Sequence, residues 1–272
     1  MTMLRISARL LRRGLGGTLM LLLGITLFEL INPVIGTSIG GSDAVQGLFD
    51  QLPPGMRAIT QVQPDFFIQS GFAGFVALGY THPVYFVLVS SAVVGFGSRT
   101  LAGEVESGIL ALTLSRPVSR RAIYLARVLD LGLLALALAA AGALGTWVGI
   151  LIADAPSDLS AQAYIMLIGA SWLLAWSIGG LVLGASAAAS TTGRVVGWAT
   201  GVLVILYFID YFAELWSPLE PFGPLSIFRY FDPVAALVDN RIPLVNLIVL
   251  AGVGIVGVVA GLLVFERRDL AI

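Results

Sequence analysis

Side chains able to do chemistry are scarce in this chain, and what is missing narrows its function as much as what is present. Its 272 residues contain no cysteine, which removes thiolate nucleophiles, thiolate metal sites and disulfides. One histidine, His82, is too few for a histidine-held catalytic metal. Lysine is absent as well, since all 15 basic residues are arginine. A nucleotide-binding P-loop needs a lysine that reaches the β- and γ-phosphates, so energy from ATP would have to come from another chain. Among carboxylates, Asp154 and Asp158 form a DxxxD pair of the kind that holds a metal and a diphosphate. The pair occurs once, beside Pro156, with no second cluster. Glu29 stands in an apolar stretch, followed by Asn32 and Pro33, and Glu104 and Glu106 lie between Gly103 and Gly108. Such a set suits binding, coupling or gating better than bond-breaking.

The elements that must position these groups are membrane helices. The chain is 58% hydrophobic and 11% charged, with a mean hydropathy of +0.96, whereas an ordinary soluble domain is about 25% charged. A helix needs about 20 apolar residues to cross the hydrocarbon core. Six stretches qualify, near 15–35, 72–97, 122–152, 163–189, 195–212 and 244–265. Positive charge collects in cytoplasmic segments. With the N-terminus inside, 12 of the 15 arginines fall on the inner side and only Arg57, Arg229 and Arg241 fall outside. The expected architecture is therefore all-α and integral to the cell membrane, with six spans and both termini cytoplasmic. The stretch 36–44 has no A-x-A-like cleavage site, so the first span reads as a retained helix.

Residues 1–13 are too charged to span. Arg5, Arg9 and Arg12 repeat at helical spacing, as do Met3, Ile6 and Leu10. This fits a basic amphipathic helix on the inner leaflet, and equally a simple positive-inside anchor ahead of a membrane domain over 14–272. An external loop with Pro53, Pro54 and Pro64 follows the first span. The inner segment at about 100–115 is more informative. Leu101, Val105, Ile109 and Leu112 repeat at the period of one helix face, with Glu104 and Glu106 off that stripe. Pro117 closes the helix, and Ser119 can cap the next one. A short amphipathic helix of this kind can dock in a groove on a cytoplasmic partner. Beyond the fifth span, an outer loop over 213–242 is rich in proline and aromatic residues, and Leu225–Tyr230 fits either a short interfacial helix or a plain loop.

Taken in order, these residues resemble a known family, the permease subunits of type-2 ABC transporters, mostly exporters. The resemblance rests on Arg99–Arg127, reading RTLAGEVESGILALTLSRPVSRRAIYLAR, on Phe265–Leu270, reading FERRDL, and on Tyr230-Phe231-Asp232-Pro233 before the last span. One departure is Gly108-Ile109, where the family commonly has glycine-threonine. The resemblance implies a coupling helix seated on a separate ATPase subunit, with Gly103, Glu104, Val105, Glu106, Gly108, Ile109, Leu112, Arg116 and Arg120 at that interface. It implies ATP and magnesium on the partner and no cofactor in this chain. A second permease chain, identical or different, would complete the transport path, with lipids around it and no nucleic acid. The cargo does not follow from the family.

Ionisable groups inside spans are functional candidates. Glu29 reads either as a contact of the substrate pathway or as a carboxylate near the outer interface partnered by a hydroxyl such as Thr26. His82 reads as a proton or cargo contact or as a packing histidine, and Pro83 beside it should bend the second span, with Thr81 near the freed carbonyl. Arg127 and Asp130 are placed to pair at i and i+3. Gly180 with Gly184, Gly257 with Gly261 and Ala135 with Ala139 allow close helix contact. The functions left standing are an ABC permease, a secondary carrier or channel driven without an ATPase, and a membrane enzyme using Asp154 and Asp158. The last has the thinnest support, and the chain is read as a transport subunit and not an enzyme.

Overall fold

A computed structural model describes residues 2–53, 56–57, 66–115, 117–155 and 159–268, with side chains from residue 16 onward except at 41–43, 45, 67 and 68. Among the described residues there is no strand. The helices are α1 (Thr2–Ser38), α2 (Gly41–Asp50), α3 (Phe66–Thr81), α4 (Pro83–Thr100), α5 (Ala102–Glu106), α6 (Ile109–Leu114), α7 (Arg120–Ala153), α8 (Ala161–Ala188), α9 (Thr192–Leu215), α10 (Pro233–Leu237) and α11 (Leu244–Arg267). Five of them, α1 from Gly16 on, α7, α8, α9 and α11, are long and apolar enough to cross a membrane, and α3 with α4 forms a bent sixth. The all-α integral membrane fold read from hydropathy is the fold observed.

α1 has 37 residues and α7 has 34, roughly 50–55 Å each at helical rise. Both exceed a hydrocarbon core of about 30 Å, so each projects beyond it. α1 runs unbroken across positions 13 and 14. The side chains of Arg5, Arg9, Arg12 and of the apolar set Met3, Ile6 and Leu10 lie outside the described residues.

Local chemistry sets where helices start and stop. Ser119 caps α7 by accepting from the Ala122 N–H at 3.2 Å, and Ser160 caps α8 by accepting from Ala163 at 3.1 Å. Pro83 opens α4 because a helix's first residue needs no N–H. His82 becomes the cap, its Nδ1 accepting from the Val84 N–H at 3.2 Å. The second span therefore bends by 49° at this point. Thr81 donates to the Leu78 carbonyl at 3.1 Å, and the His82 N–H donates to Gly79 at 3.1 Å.

α8 is the most buried of the spans and α9 the least. Small residues let α8 approach α11. A Cβ on Gly180 would stand 2.5 Å from the Gly254 carbonyl oxygen, and one on Gly184 2.6 Å from that of Gly257. Gly145 and Gly149 of α7 meet the backbone of Thr26 and Leu30 in α1 in the same way. Without a hydrophobic force between helices in lipid, such close van der Waals contact is what holds them together.

The segment after α9 contains two 3₁₀ helices, Ser217–Leu225 and Phe228–Tyr230. Trp216 and Phe222 are exposed, but Phe228 and Phe231 turn inward. Phe228 lies 4.9 Å from the Phe86 ring, and Phe231 stacks on Tyr85 at 5.9 Å. Asp232 then caps α10, accepting from the Ala235 N–H at 2.9 Å, with Pro233 at its first turn. The aromatic segment is thus partly a plug in the bundle rather than an interfacial loop.

Replacing Gly257 by valine should wedge α8 from α11 and cost about 1–3 kcal/mol, the range for overpacking a tight contact. The measurement is thermal unfolding in detergent, with Gly252→Val as control, since Gly252 faces open space. Equal melting temperatures for both variants would deny that the approach of these helices holds the bundle.

Candidate functional site

At one end of the bundle, side chains from different elements tie helix termini together. α5 and α6 form a short hairpin there, joined through Gly108 in a left-handed conformation with φ of 71°. That turn, which favours glycine, breaks the single amphipathic helix expected over 100–115. The stripe of Leu101, Val105, Ile109 and Leu112 is broken with it. Leu101 is buried and Val105 and Ile109 are partly buried, while Leu112 is 71% exposed. The inward face is made instead by Leu101, Ala102, Glu104 and Leu110.

The base of the hairpin is pinned on three sides. The Ala102 N–H donates to Ser186 Oγ of α8 at 2.9 Å. Glu106 accepts the Thr192 N–H, at the start of α9, at 2.9 Å. Glu104 points into the protein, 2.8 Å from Arg127 Nη2 of α7, and both side chains are nearly inaccessible. The i, i+3 pair of Arg127 with Asp130 also forms, at 3.4 Å, but it is the longer contact. Burial pushes the Glu104 carboxyl above its usual range, an effect that the Arg127 charge only partly offsets. Glu106 lies in the open, where the Thr192 backbone N–H and then its hydroxyl hold the carboxyl below the usual range.

Two arginines complete the arrangement. Arg120 donates to the Arg268 carbonyl at 2.5 Å and the Phe265 carbonyl at 3.5 Å, at the end of α11. Arg268 donates to the carbonyls of Ala187 and Ala189 at 3.0 and 2.8 Å and to Ser190 Oγ at 2.6 Å, at the end of α8. A helix C-terminus leaves carbonyls unpaired and carries partial negative charge, so a guanidinium satisfies both demands. Beside the hairpin, a cavity of about 360 Å³ opens between α1, α4 and α7, with Thr18, Ser91, Arg99, Glu104 and Arg127 on its wall. Glu104 Oε2 and Arg127 Nε have no hydrogen-bond partner among the described residues.

The residues named from sequence therefore divide. Gly108, Leu112 and Glu106 lie on the outside of the hairpin. Gly103 is partly buried, packed where a Cβ would come 3.2 Å from Thr192 Oγ1. Glu104 is corrected from a surface contact to a buried anchor, because a carboxylate this deep needs its partner inside. Arg120 holds α11 and is half-buried, and Arg116 lies outside the described residues. Glu29 is fully buried, with Asn32 near its carboxyl, yet neither oxygen meets a partner in hydrogen-bonding geometry among the described residues. Thr26 is not its partner: that hydroxyl donates to Leu22 and Ala141. His82, at the α3–α4 break, is exposed, its ring 5.5 Å from Phe28, so one candidate is buried and the other faces outward. Asp158 lies outside the described residues, and no cluster of three metal-binding side chains occurs among those described.

Sequence reasoning passed over Asp210, a carboxylate within α9 whose Oδ1 is buried with no hydrogen-bond partner among the described residues, with the charges of Glu214 and Arg229 acting on it. Its position in an apolar run was the visible signal. The Glu104–Arg127 contact, 23 positions apart, gave none.

A family model described as ABC-2 family transporter protein matches residues 12–270. No curated protein matches the chain.

Arg127→Met should cost about 3–5 kcal/mol, because it leaves a buried carboxylate alone. Glu104→Gln should cost less, since burial already favours the uncharged group there. The same shift sets a pH dependence. A raised folded-state value gives stability that is present below the ordinary glutamate range and lost as pH rises through the folded value. Wild type should therefore lose stability relative to Glu104→Gln on going upward in pH. Melting curves of the three proteins across pH check both points, and a wild type that gains on Glu104→Gln with rising pH would reverse the assignment.

Proposed function

We propose that this chain, which belongs to the ABC-2 transporter family and is a permease of an ABC transporter, works as the membrane subunit of an ATP-driven exporter. ATP and magnesium bind a separate ATPase subunit, and a second permease chain, identical or different, completes the path. The arginine-rich end is the cytoplasmic end, as the distribution of arginines favours, and the membrane is the cell membrane.

The observation that carries this reading is the α5–α6 hairpin. Its base is fixed to α7, α8 and α9 through Arg127, Ser186 and Thr192, while its outer side offers Gly108 and the exposed Leu112. An element bound rigidly inward and left bare outward is suited to take force from a docked partner. Closure of the ATPase subunits displaces the hairpin, and the Glu106 contact carries that displacement into α9, the least buried span. Switching between inward- and outward-facing states follows as a rigid-body tilt. The contact set on the ATPase is Glu106, Gly108, Ile109 and Leu112, with Gly103, Glu104 and Val105 holding the hairpin from within. A secondary carrier is the alternative, favoured by Glu29, whose carboxyl is buried and, among the described residues, in hydrogen-bonding geometry with none, the kind of group ion coupling uses.

Tagged chain purified from native membranes should bring down a P-loop ATPase, identified by mass spectrometry. Leu112→Asp should abolish that recovery while leaving the unfolding free energy within about 0.5 kcal/mol of wild type, as for surface changes in general. Wild-type chain that purifies without an ATPase would transfer the weight to the carrier reading and to Glu29.

A further inference from the structure

A groove of about 460 Å³ runs between α4 and α9, and its chemistry changes along its length. On α4 it follows one face from Pro83 to Arg99, roughly 24 Å of helix at helical rise. One end is aromatic, with Phe86, Tyr207 and Phe228, and the wall beyond it is mainly valine and leucine, interrupted midway along α4 by the hydroxyls of Ser90 and Ser91 and on α9 by Thr200. The groove's single charged residue, Arg99, stands at the end away from Pro83.

Arg99 differs from the arginines around it. Arg127 is neutralised by Glu104 and Asp130, and Arg120 and Arg268 are spent on helix ends. Among the described residues Arg99 has neither ion pair nor hydrogen bond, and it is exposed. Its position also borders the cavity beside the hairpin, so it lies on the wall of both spaces. No carboxylate lines the groove to compensate it. A guanidinium is a planar fork of donors that fits a phosphate with paired hydrogen bonds. A long apolar trough is the complement of an alkyl chain, and Val87 and Phe208 on its walls are left exposed by the chain itself.

We propose that this groove holds a bilayer phospholipid with an anionic headgroup, its phosphate on Arg99 and its acyl chain lying along the α4–α9 wall toward Phe228. The proposal rests on the permease reading, and it assigns that permease an anionic amphiphile as its class of ligand. The groove belongs to α9, the span that the hairpin reaches through Glu106, so the lipid would sit against the element that moves.

The test is native mass spectrometry of the purified permease with its ATPase, supplemented with phosphatidylglycerol or with phosphatidylcholine of the same acyl chains. Phosphatidylglycerol should be retained in preference by roughly fivefold, the weight of one basic residue against an anionic headgroup. Arg99→Gln should abolish the preference and Arg99→Lys should keep most of it, while Arg121→Gln, an exposed arginine outside both spaces, should leave it intact. Val204→Trp, which fills the trough without touching the charge, should lower retention of both lipids. Equal retention of the two lipids by wild type, or a preference unchanged in Arg99→Gln, overturns the proposal. Displacement by inorganic phosphate alone at matched concentration would assign Arg99 to a free anion and overturn it too. The same spectra report whether the ATPase is bound. A complex that holds its ATPase without lipid preference sinks only the lipid site, and a lone chain with the full preference sinks only the ATP-driven exporter reading.

Discussion

Every helix that stops at a membrane surface leaves four carbonyls or four amides without intrahelical partners, and near lipid an unpaired backbone group is costly. In this bundle side chains from neighbouring elements take up several of those groups at one end. Arg268 serves the end of α8, Arg120 the end of α11, Glu106 the start of α9 and Ser186 the start of α5. Each contact satisfies a local demand and at the same time fixes two elements relative to each other. The hairpin inherits its position from that requirement. Its five- and six-residue helices are too short to be stable alone, and their position rests on the contacts of Glu106 with α9, Ala102 with Ser186 and Glu104 with Arg127.

Hydropathy made the bundle legible, because lipid demands long apolar helices and the sequence can meet that demand in few ways. The break at His82 and Pro83 was legible for the same kind of reason: proline has no N–H, and the chain must begin a new helix there. Gly180, Gly184, Gly257 and Gly261 also spoke plainly, their spacing matching the tight approach of α8 to α11. What could not be read was direction. The period of Leu101, Val105, Ile109 and Leu112 fits one helix, but Gly108 adopts a left-handed turn and rotates the second half away from the first. Periodicity carries no signal for a backbone sign change at a single residue. Glu104 seemed a surface charge because carboxylates ordinarily are, and the residue that reverses this, Arg127, is distant in sequence. Residue type favours an interface for the aromatic segment after α9, whereas Phe86 and Tyr85 give Phe228 and Phe231 partners inside the bundle.

The motifs that carried the family resemblance acquire physical roles in this light. The Arg-Arg-Asp-Leu ending puts Arg268 where the carbonyls of Ala187 and Ala189 close α8. Asp232 and Pro233 of the Tyr-Phe-Asp-Pro stretch start α10 by a side-chain cap and a preset first residue. The Ser119 and Arg120 positions cap α7 and hold α11. All three are devices for ending or starting helices. Short motifs scattered along the chain thus do the same kind of structural work at different helix ends.

Arg99 and Arg127 show how the same residue type takes two fates a short distance apart. A guanidinium withdrawn from water must be paired, because the cost of desolvating an isolated charge exceeds what packing returns. Arg127 is withdrawn, and Glu104 and Asp130 are both turned toward it. That pairing is internal and leaves the Arg127 guanidinium occupied rather than free for a ligand. Arg99 stays exposed at the mouth of an apolar groove, where no folding requirement supplies it with a carboxylate. If pairing were a general property of arginines at this end of the bundle, both would be paired. The selectivity follows burial instead: charge is cancelled where the fold would otherwise be destabilised and left uncancelled where a hydrocarbon trough opens toward the α4–α9 surface.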